Sequence, residues 1–247
     1  LSPHNLMVGF DGRVKVLEGR PIDRAAVERA RHGIDSLYRK RGYYAVEVAT
    51  REVADSTGGV RLVFDVREGS RVAISQVVIE GNEAFEDGKV VGGMRTRPEG
   101  FWWFRKGEYS EDKLEQDVRD NLPKWYADRG YVDFRVTGDS LVADTLPGKA
   151  TLILEVEEGQ QYKVGTFEIV GNRRYSSDEL RTFFPFGAVQ PGDGRNADVV
   201  FNRSDWDGAT ERLTTLYQNT GYIYSSIRPE ESRRTAADGT PYLDLRW

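Results

Sequence analysis

The sequence predicts an α+β fold built as three tandem β-α-α-β-β modules, each a three-stranded mixed sheet covered on one face by two helices. Three observations carry this. The pattern Tyr-x-x-x-Gly-Tyr occurs as Tyr38, Gly42 and Tyr43, as Tyr126, Gly130 and Tyr131, and as Tyr217, Gly221 and Tyr222. A Gly-Asn pair after a β-branched run recurs at Gly81-Asn82 and Gly171-Asn172, and a Glu-Gly pair recurs at Glu68-Gly69 and Glu158-Gly159, each 90 residues apart. Different landmarks sharing one period mark a tandem array, and a unit of that size can bury a core of its own. Within each period the apolar spacing reads strand, helix, helix, strand, strand.

Each module opens with a strand-like run, at 72–79 and 162–170. The Gly-Asn turn follows, where a left-handed backbone costs little. Ser176 with Glu179 has the form of a capping box, and Leu180 and Phe183 give the short helix after it an apolar face. In the second module Gly92 and Gly93 weaken that helix, leaving Val90, Val91 and Met94 as its apolar contacts.

A longer helix ends at each tyrosine motif. Val27, Ala30, Ile34 and Leu37, and likewise Trp206, Ala209, Leu213 and Leu216, step along one helical face. Leu114, Val118, Leu122 and Trp125 match in the second module, where Pro123 removes a backbone donor and predicts a kink. Asp23, Ser110 and Asn202 stand at the N-cap positions. The motif glycine reads as the left-handed residue after the last turn, with the tyrosine before it packed inward. Alternating runs at 45–53 and 60–66, and at 132–142 and 150–156, then form hairpins.

The expected domains are 1–70, lacking its first strand, 71–160, complete, and 161–247, stopping within its last strand at 242–247. One or two residues after each Glu-Gly separate the modules, too few for a flexible linker, so a semi-rigid string is expected.

Composition narrows the chemistry. Lys and Arg number 35 against 40 Asp and Glu, a net charge of -5, which disfavours nucleic acid as a partner. The absence of cysteine removes disulfides, thiolate metal sites and cysteine nucleophiles. No stretch approaches the roughly 20 apolar residues of a membrane helix. His4 and His32 lie in no metal-ligand spacing, and neither a Gly-x-Ser-x-Gly elbow nor a Walker loop is present. Gly192-Asp193-Gly194 lacks a following lysine and reads as a loop, and Glu157-Glu158 as a solvated exit turn rather than an acid–base pair. No catalytic residue, metal or cofactor is expected.

The element order, the Gly-Asn turn, the Tyr-x-x-x-Gly-Tyr helix end and the Glu-Gly exit together resemble the POTRA domains that precede outer-membrane β-barrels, over essentially the whole chain. In the second module, Met94-Arg-Thr-Arg-Pro-Glu-Gly-Phe-Trp-Trp-Phe-Arg-Lys-Gly-Glu-Tyr-Ser110, followed by Asp117, is most similar to the BamA family of barrel-assembly factors. TamA-like translocation factors, chloroplast import channels and two-partner secretion transporters carry similar modules. The resemblance implies a periplasmic region of an outer-membrane protein whose parent chain continues into a membrane β-barrel. It implies unfolded outer-membrane protein precursors and accessory lipoproteins as partners. A translocation arm, or a cell-envelope scaffold without a barrel, is the alternative.

An unpaired sheet edge can accept an extended peptide as an added strand. The resemblance implies that this edge is the second strand of each module: Val46, Glu47 and Val48; Phe134, Arg135 and Val136; and Ser225, Ser226 and Ile227. Charges such as Glu47, Arg51 and Arg135 would discourage indiscriminate pairing. Phe101, Trp102, Trp103 and Phe104 form a second candidate. Four successive aromatics cannot all face one core, so they either cover the helices or a module junction, or form an exposed contact patch.

Overall fold

The computed structural model describes residues 23–54, 60–100, 107–146, 148–187 and 199–247. Phe101 to Phe104 and Gly192 to Gly194, on which two of the expectations above rest, lie outside the described residues. Two compact bodies are present: Leu1–Val77 with Thr96–Glu115 and Leu141–Leu152, and Val78–Arg95 with Gln116–Ser140 and Ile153–Trp247.

In repeat one, helix α1 (Arg24–Lys40) starts at Asp23, whose carboxylate accepts the Ala25 N–H at 2.9 Å. Its buried stripe is Val27, Ala30, Ile34 and Tyr38. Strands β1 (Glu47–Ala54) and β2 (Val60–Arg67) pair antiparallel, from Glu47 opposite Arg67 to Ala54 opposite Val60. Ile34, Tyr38 and Val46 form the small core, flanked by Tyr43, Val48, Phe64 and Val66.

Repeat two runs β3 (Ala73–Glu80), α2 (Asp87–Gly92), α3 (Glu111–Gln116), a π-turn (Asp117–Asn121), α4 (Leu122–Ala127), β4 (Arg135–Ala143) and β5 (Lys149–Glu157), with strand order β3-β5-β4. Repeat three runs β6 (Lys163–Glu168), α5 (Ser177–Arg181), α6 (Arg203–Asn219), β7 (Glu230–Thr235) and β8 (Pro241–Arg246), with order β6-β8-β7. There β8 is parallel to β6 and antiparallel to β7, so the sheet is mixed. Trp206 is fully buried and stacks on Trp247 at 4.9 Å, within a core that includes Phe167, Phe184 and Phe201.

The interruption near Pro123 is a π-turn. The motif glycines at 42, 130 and 221 follow the caps at 23, 110 and 202 by 19, 20 and 19 positions, so repeat two carries one extra residue in its long helix. A π-turn absorbs one such residue, and Leu122 N–H bonds to the Asp117 carbonyl five residues back. The extra residue rotates the face that follows it, so Asp117 is fully buried while Val118 is only partly covered. Asp117 Oδ1 accepts the Arg95 N–H and Asn121 Nδ2, both at 2.7 Å, tying the turn to the segment after α2. Gly93, read as a weak point of α2, has a packing reason: a Cβ there would lie 2.5 Å from the Trp125 ring.

Candidate functional site

The central strands β5 and β8 leave β3 and β4, and β6 and β7, at the sheet edges. The β3 edge is partly taken. Ile74 N–H bonds to Gly107 O at 2.7 Å, Glu99 N–H bonds to Ile74 O at 2.8 Å, and Ala73 bridges to Glu108. The β6 edge is covered in the same way, with Val164 N–H bonded to Val199 O at 2.8 Å and Lys163 bridged to Val200. Segments leading into the long helices therefore occupy first-strand edges, and β4 and β7 remain the outer strands.

The nine edge residues named from sequence fall into different settings. Val46 precedes β1 and is buried, Glu47 opens β1, and Val48 packs against the core. Phe134 precedes β4 and stacks on Tyr126, with centroids 3.9 Å apart and planes 9° apart. Arg135 and Val136 lie in β4, where Arg135 pairs with Glu157 on the central strand. Ser225, Ser226 and Ile227 require a correction, because they precede β7 and belong to no strand. The β7 register with β8 runs from Glu230 opposite Arg246 to Thr235 opposite Pro241. Ile227 packs against the core of repeat three instead.

The three edges differ in chemistry as well. Along β7, Glu231 is paired with Arg203, Arg233 with Asp133, and Arg234 with Asp244. Charges held in this way oppose strand addition. In β4 the outer residues are milder, with Gly138 at mid-strand and Thr137 Oγ1 bonded to Glu155 O at 3.2 Å.

The three repeat landmarks converge on one carboxylate. Tyr126 donates its hydroxyl to Glu158 Oε1 at 2.9 Å, while Glu158 Oε2 accepts the N–H groups of Glu83 and Ala84, just after the Gly-Asn turn, at 2.9 Å each. Glu158 is 8% exposed, which overturns its reading as a solvated turn residue. Its three bonds leave it a structural acceptor. Burial pushes the Tyr126 phenol far above its ordinary range, and the Glu158 carboxylate adds to the shift. Repeat one repeats the contact, with Tyr38 bonded to Glu68 Oε1 at 2.9 Å. The turn itself is held by Asn82 Nδ2, which donates to Phe85 O, and by Asn172 Nδ2, which donates to Tyr175 O.

The motif glycine receives the following repeat. The Gly42 carbonyl accepts Val72 N–H at 2.8 Å, and the Val72 carbonyl accepts Tyr109 N–H at 3.0 Å. The Gly130 carbonyl accepts Tyr162 N–H at 2.9 Å, and the Tyr162 carbonyl accepts Phe201 N–H at 3.0 Å. Both glycines are left-handed, at φ 88° and 89°, and a Cβ would meet Tyr109 O at 2.7 Å or Tyr162 O at 2.9 Å. Two requirements coincide there, helix termination and close approach of the next repeat. Side chains strengthen each junction. Asp128 accepts from the N–H and hydroxyl of Ser204, and Asp133 accepts from Tyr162 and Arg233. The Arg233 guanidinium is the main reason that Asp133 is held below the usual carboxylate range, against the opposing effect of burial. No signal in the sequence marked these junction bonds, since each joins residues 29 or more positions apart.

Among the described residues, no group of His, Cys, Asp and Glu side chains could hold a metal ion, and no helix is long and apolar enough to cross a membrane. His32 lies on α1 beside Arg31, with 3.2 Å between its Nε2 and the guanidinium.

Comparison with known proteins follows the same periodicity. The family described as POTRA, surface antigen variable number repeat, matches residues 10–69, 72–159 and 162–244. A Treponema pallidum (strain Nichols) protein provisionally named an outer membrane protein assembly factor is 30% identical over 206 residues, covering 81% of this chain and 23% of its own length. The outer membrane protein assembly factor BamA of Neisseria meningitidis serogroup B is 25% identical over 209 residues, covering 83% of this chain and 25% of its own length. The chain thus spans about a quarter of these relatives. The crystal structure of Haemophilus influenzae BamA POTRA3-5 covers 100% of this chain and 89% of its own, at 16% identity and a TM-score of 0.48. The chain belongs to the POTRA family and is homologous to outer-membrane protein assembly factors of the BamA type.

Proposed function

We propose that this chain is the periplasmic arm of an outer-membrane assembly factor whose parent carries a membrane β-barrel, and that it binds unfolded outer-membrane protein precursors by strand addition. The observation that supports this reading most is the contrast between edges in repeat two. The outer edge of β3 is occupied by residues 99 and 107–109, whereas β4 is the last strand of its sheet. Backbone pairing at such an edge asks little of the incoming sequence, which suits clients that share strand-forming character and little else. Of the two second strands in three-stranded sheets, β4 is the favoured acceptor, because β7 is laced with ion pairs. Accessory lipoproteins are the second class of partner in this reading.

The test is a titration of the chain with a peptide copied from a membrane barrel strand, followed by amide chemical shifts. Shifts concentrated in 135–143, with 230–235 little changed, are the expected result. Silence along 135–143, or shifts confined to helix surfaces, would sink strand addition at this edge.

A further inference from the structure

The junctions after repeats one and two share a backbone pattern. In each, the motif glycine carbonyl accepts from the residue at position 72 or 162, whose own carbonyl accepts from position 109 or 201. These shared bonds, and the distance from the motif glycine, align the residues around them. Lys40 stands where Asp128 stands, Ala45 where Asp133 stands and Val72 where Tyr162 stands. One backbone arrangement thus carries two different sets of side chains.

At the second junction those side chains form directional bonds. The first N–H groups of α6 have no partner inside the helix. Asn202, its own cap, accepts the Asp205 N–H at 3.0 Å. Asp128, the residue that ends α4 in repeat two, accepts the Ser204 N–H at 2.8 Å and the Ser204 hydroxyl at 3.0 Å. Its negative charge lies at the positive end of the α6 dipole. The long helix of one repeat therefore begins on a carboxylate of the repeat before it. Asp133 accepts the Tyr162 hydroxyl at 2.8 Å and the Arg233 guanidinium at 2.5 and 3.0 Å, and Gln161 Nε2 donates to the Arg129 carbonyl at 3.0 Å. Val132 packs against the core of repeat three.

At the first junction the side chains of Lys40 and Ala45 supply no acceptor, and Val72 supplies no hydroxyl. Lys40 lies 3.9 Å from Glu111, with both side chains exposed. An exposed pair at that distance contributes little. The Arg71 guanidinium lies 5.1 Å from the Tyr43 ring, and Tyr44 meets Tyr109 edge-on at 5.7 Å. Aromatic contacts of this kind persist over centroid separations of roughly 4.5–7 Å, so the surfaces can slide. A hydrogen bond weakens steeply once bent below about 120°, so several together fix an angle.

We propose that the two junctions differ in stiffness: Asp128 and Asp133 form a clasp that fixes the second, whereas the first is a hinge that turns about the Gly42 to Val72 bond. Asp128 is the principal positioning residue, because it sets where α6 starts relative to the end of α4. The inference is independent of the client-binding reading, since no client takes part in either junction.

The experiment measures residual dipolar couplings of backbone amides in the whole chain, comparing α1 with α3 across the first junction and α4 with α6 across the second. One alignment tensor is expected to fit α4 and α6 together, while α1 and α3 require tensors of different magnitude. Replacing both carboxylates, Asp128→Ala with Asp133→Ala, should separate α4 from α6 in the same way.

If the double variant does not fold, hydrogen exchange in the single variants decides. Loss of a bond to a charged acceptor in Asp128→Ala should speed exchange of the Ser204 amide by about ten- to a hundred-fold. Asp128→Asn keeps an acceptor oxygen and should recover most of that protection. A single tensor that fits α1 and α3 as closely as α4 and α6 would overturn the hinge. An unaltered α4 and α6 alignment in the double variant, or a Ser204 amide indifferent to Asp128→Ala, would overturn the clasp.

Discussion

Tyr126 and Glu158, 32 residues apart in sequence, are bonded at 2.9 Å in the interior of repeat two, and the same carboxylate receives two backbone N–H groups from the Gly-Asn turn. One side chain thereby joins the end of the long helix, the exit of the central strand and the first turn. A hydrogen bond to a buried charged acceptor stabilises by roughly 1.5–3 kcal/mol. Tyr126→Phe should cost about that much, and Glu158→Ala more, because it strands three donors. Urea unfolding checks this, and a Tyr126→Phe midpoint equal to that of the unaltered chain would contradict it.

The motif glycines should differ in tolerance although their backbones agree. Alanine in a left-handed conformation costs about 1–2 kcal/mol. At Gly221 that is the whole expected cost, since a Cβ meets open space. Gly42→Ala and Gly130→Ala add a clash with the backbone oxygen of Tyr109 or Tyr162, so both should exceed Gly221→Ala. Thermal unfolding of the three variants ranks them, and equal losses would show that the junctions yield without strain.

Alkaline pH should unlock the tyrosines. Burial first, and the glutamate partner second, raise the phenols of Tyr38 and Tyr126 above their ordinary value near 10. The unfolded chain then loses these protons before the folded one. The contribution to stability is complete below about pH 10 and falls as pH rises above it. Ultraviolet titration should show tyrosines that ionise only as the fold is lost, and full reversible ionisation of all tyrosines in the folded chain would refute this.

Acid should loosen the junction at Asp133. Its carboxyl is lowered chiefly by the Arg233 guanidinium, with Tyr162 assisting. A lowered value means that stability is present above the unfolded carboxylate pKa and lost as pH falls through the folded one. The side chain of Asp133 is 37% exposed, so solvent screening keeps the effect small. Carboxyl chemical shifts should place Asp133 below free aspartate, and Arg233→Ala should move it upward. An unmoved titration would assign the shift to another cause.

Much of the local architecture was legible before any coordinate. Asp23, Ser176 and Asn202 cap their helices, and Gly42, Gly130 and Gly221 take the left-handed backbone expected of them. Tyr38, Tyr126 and Tyr217 pack inward. These features depend on a few neighbouring residues, and short-range sterics and hydrogen bonding specify them. The strand edge of repeat three was misplaced for the opposite reason. Nothing local in Ser225, Ser226 and Ile227 fixes the register with β8, in which the paired residues of β7 are Glu230 to Thr235.

Sequence periodicity alone determined the repeat, the order of its elements and the α+β class, because each follows from local backbone preference and from which face is apolar. Only the tertiary structure decided that Glu158 is a buried acceptor rather than a solvated turn residue, that one extra residue in the long helix becomes a π-turn, and that each motif glycine before the last receives the next repeat. Those outcomes depend on donors and acceptors many positions apart. Burial in low dielectric obliges such groups to find partners, and three-dimensional proximity selects which.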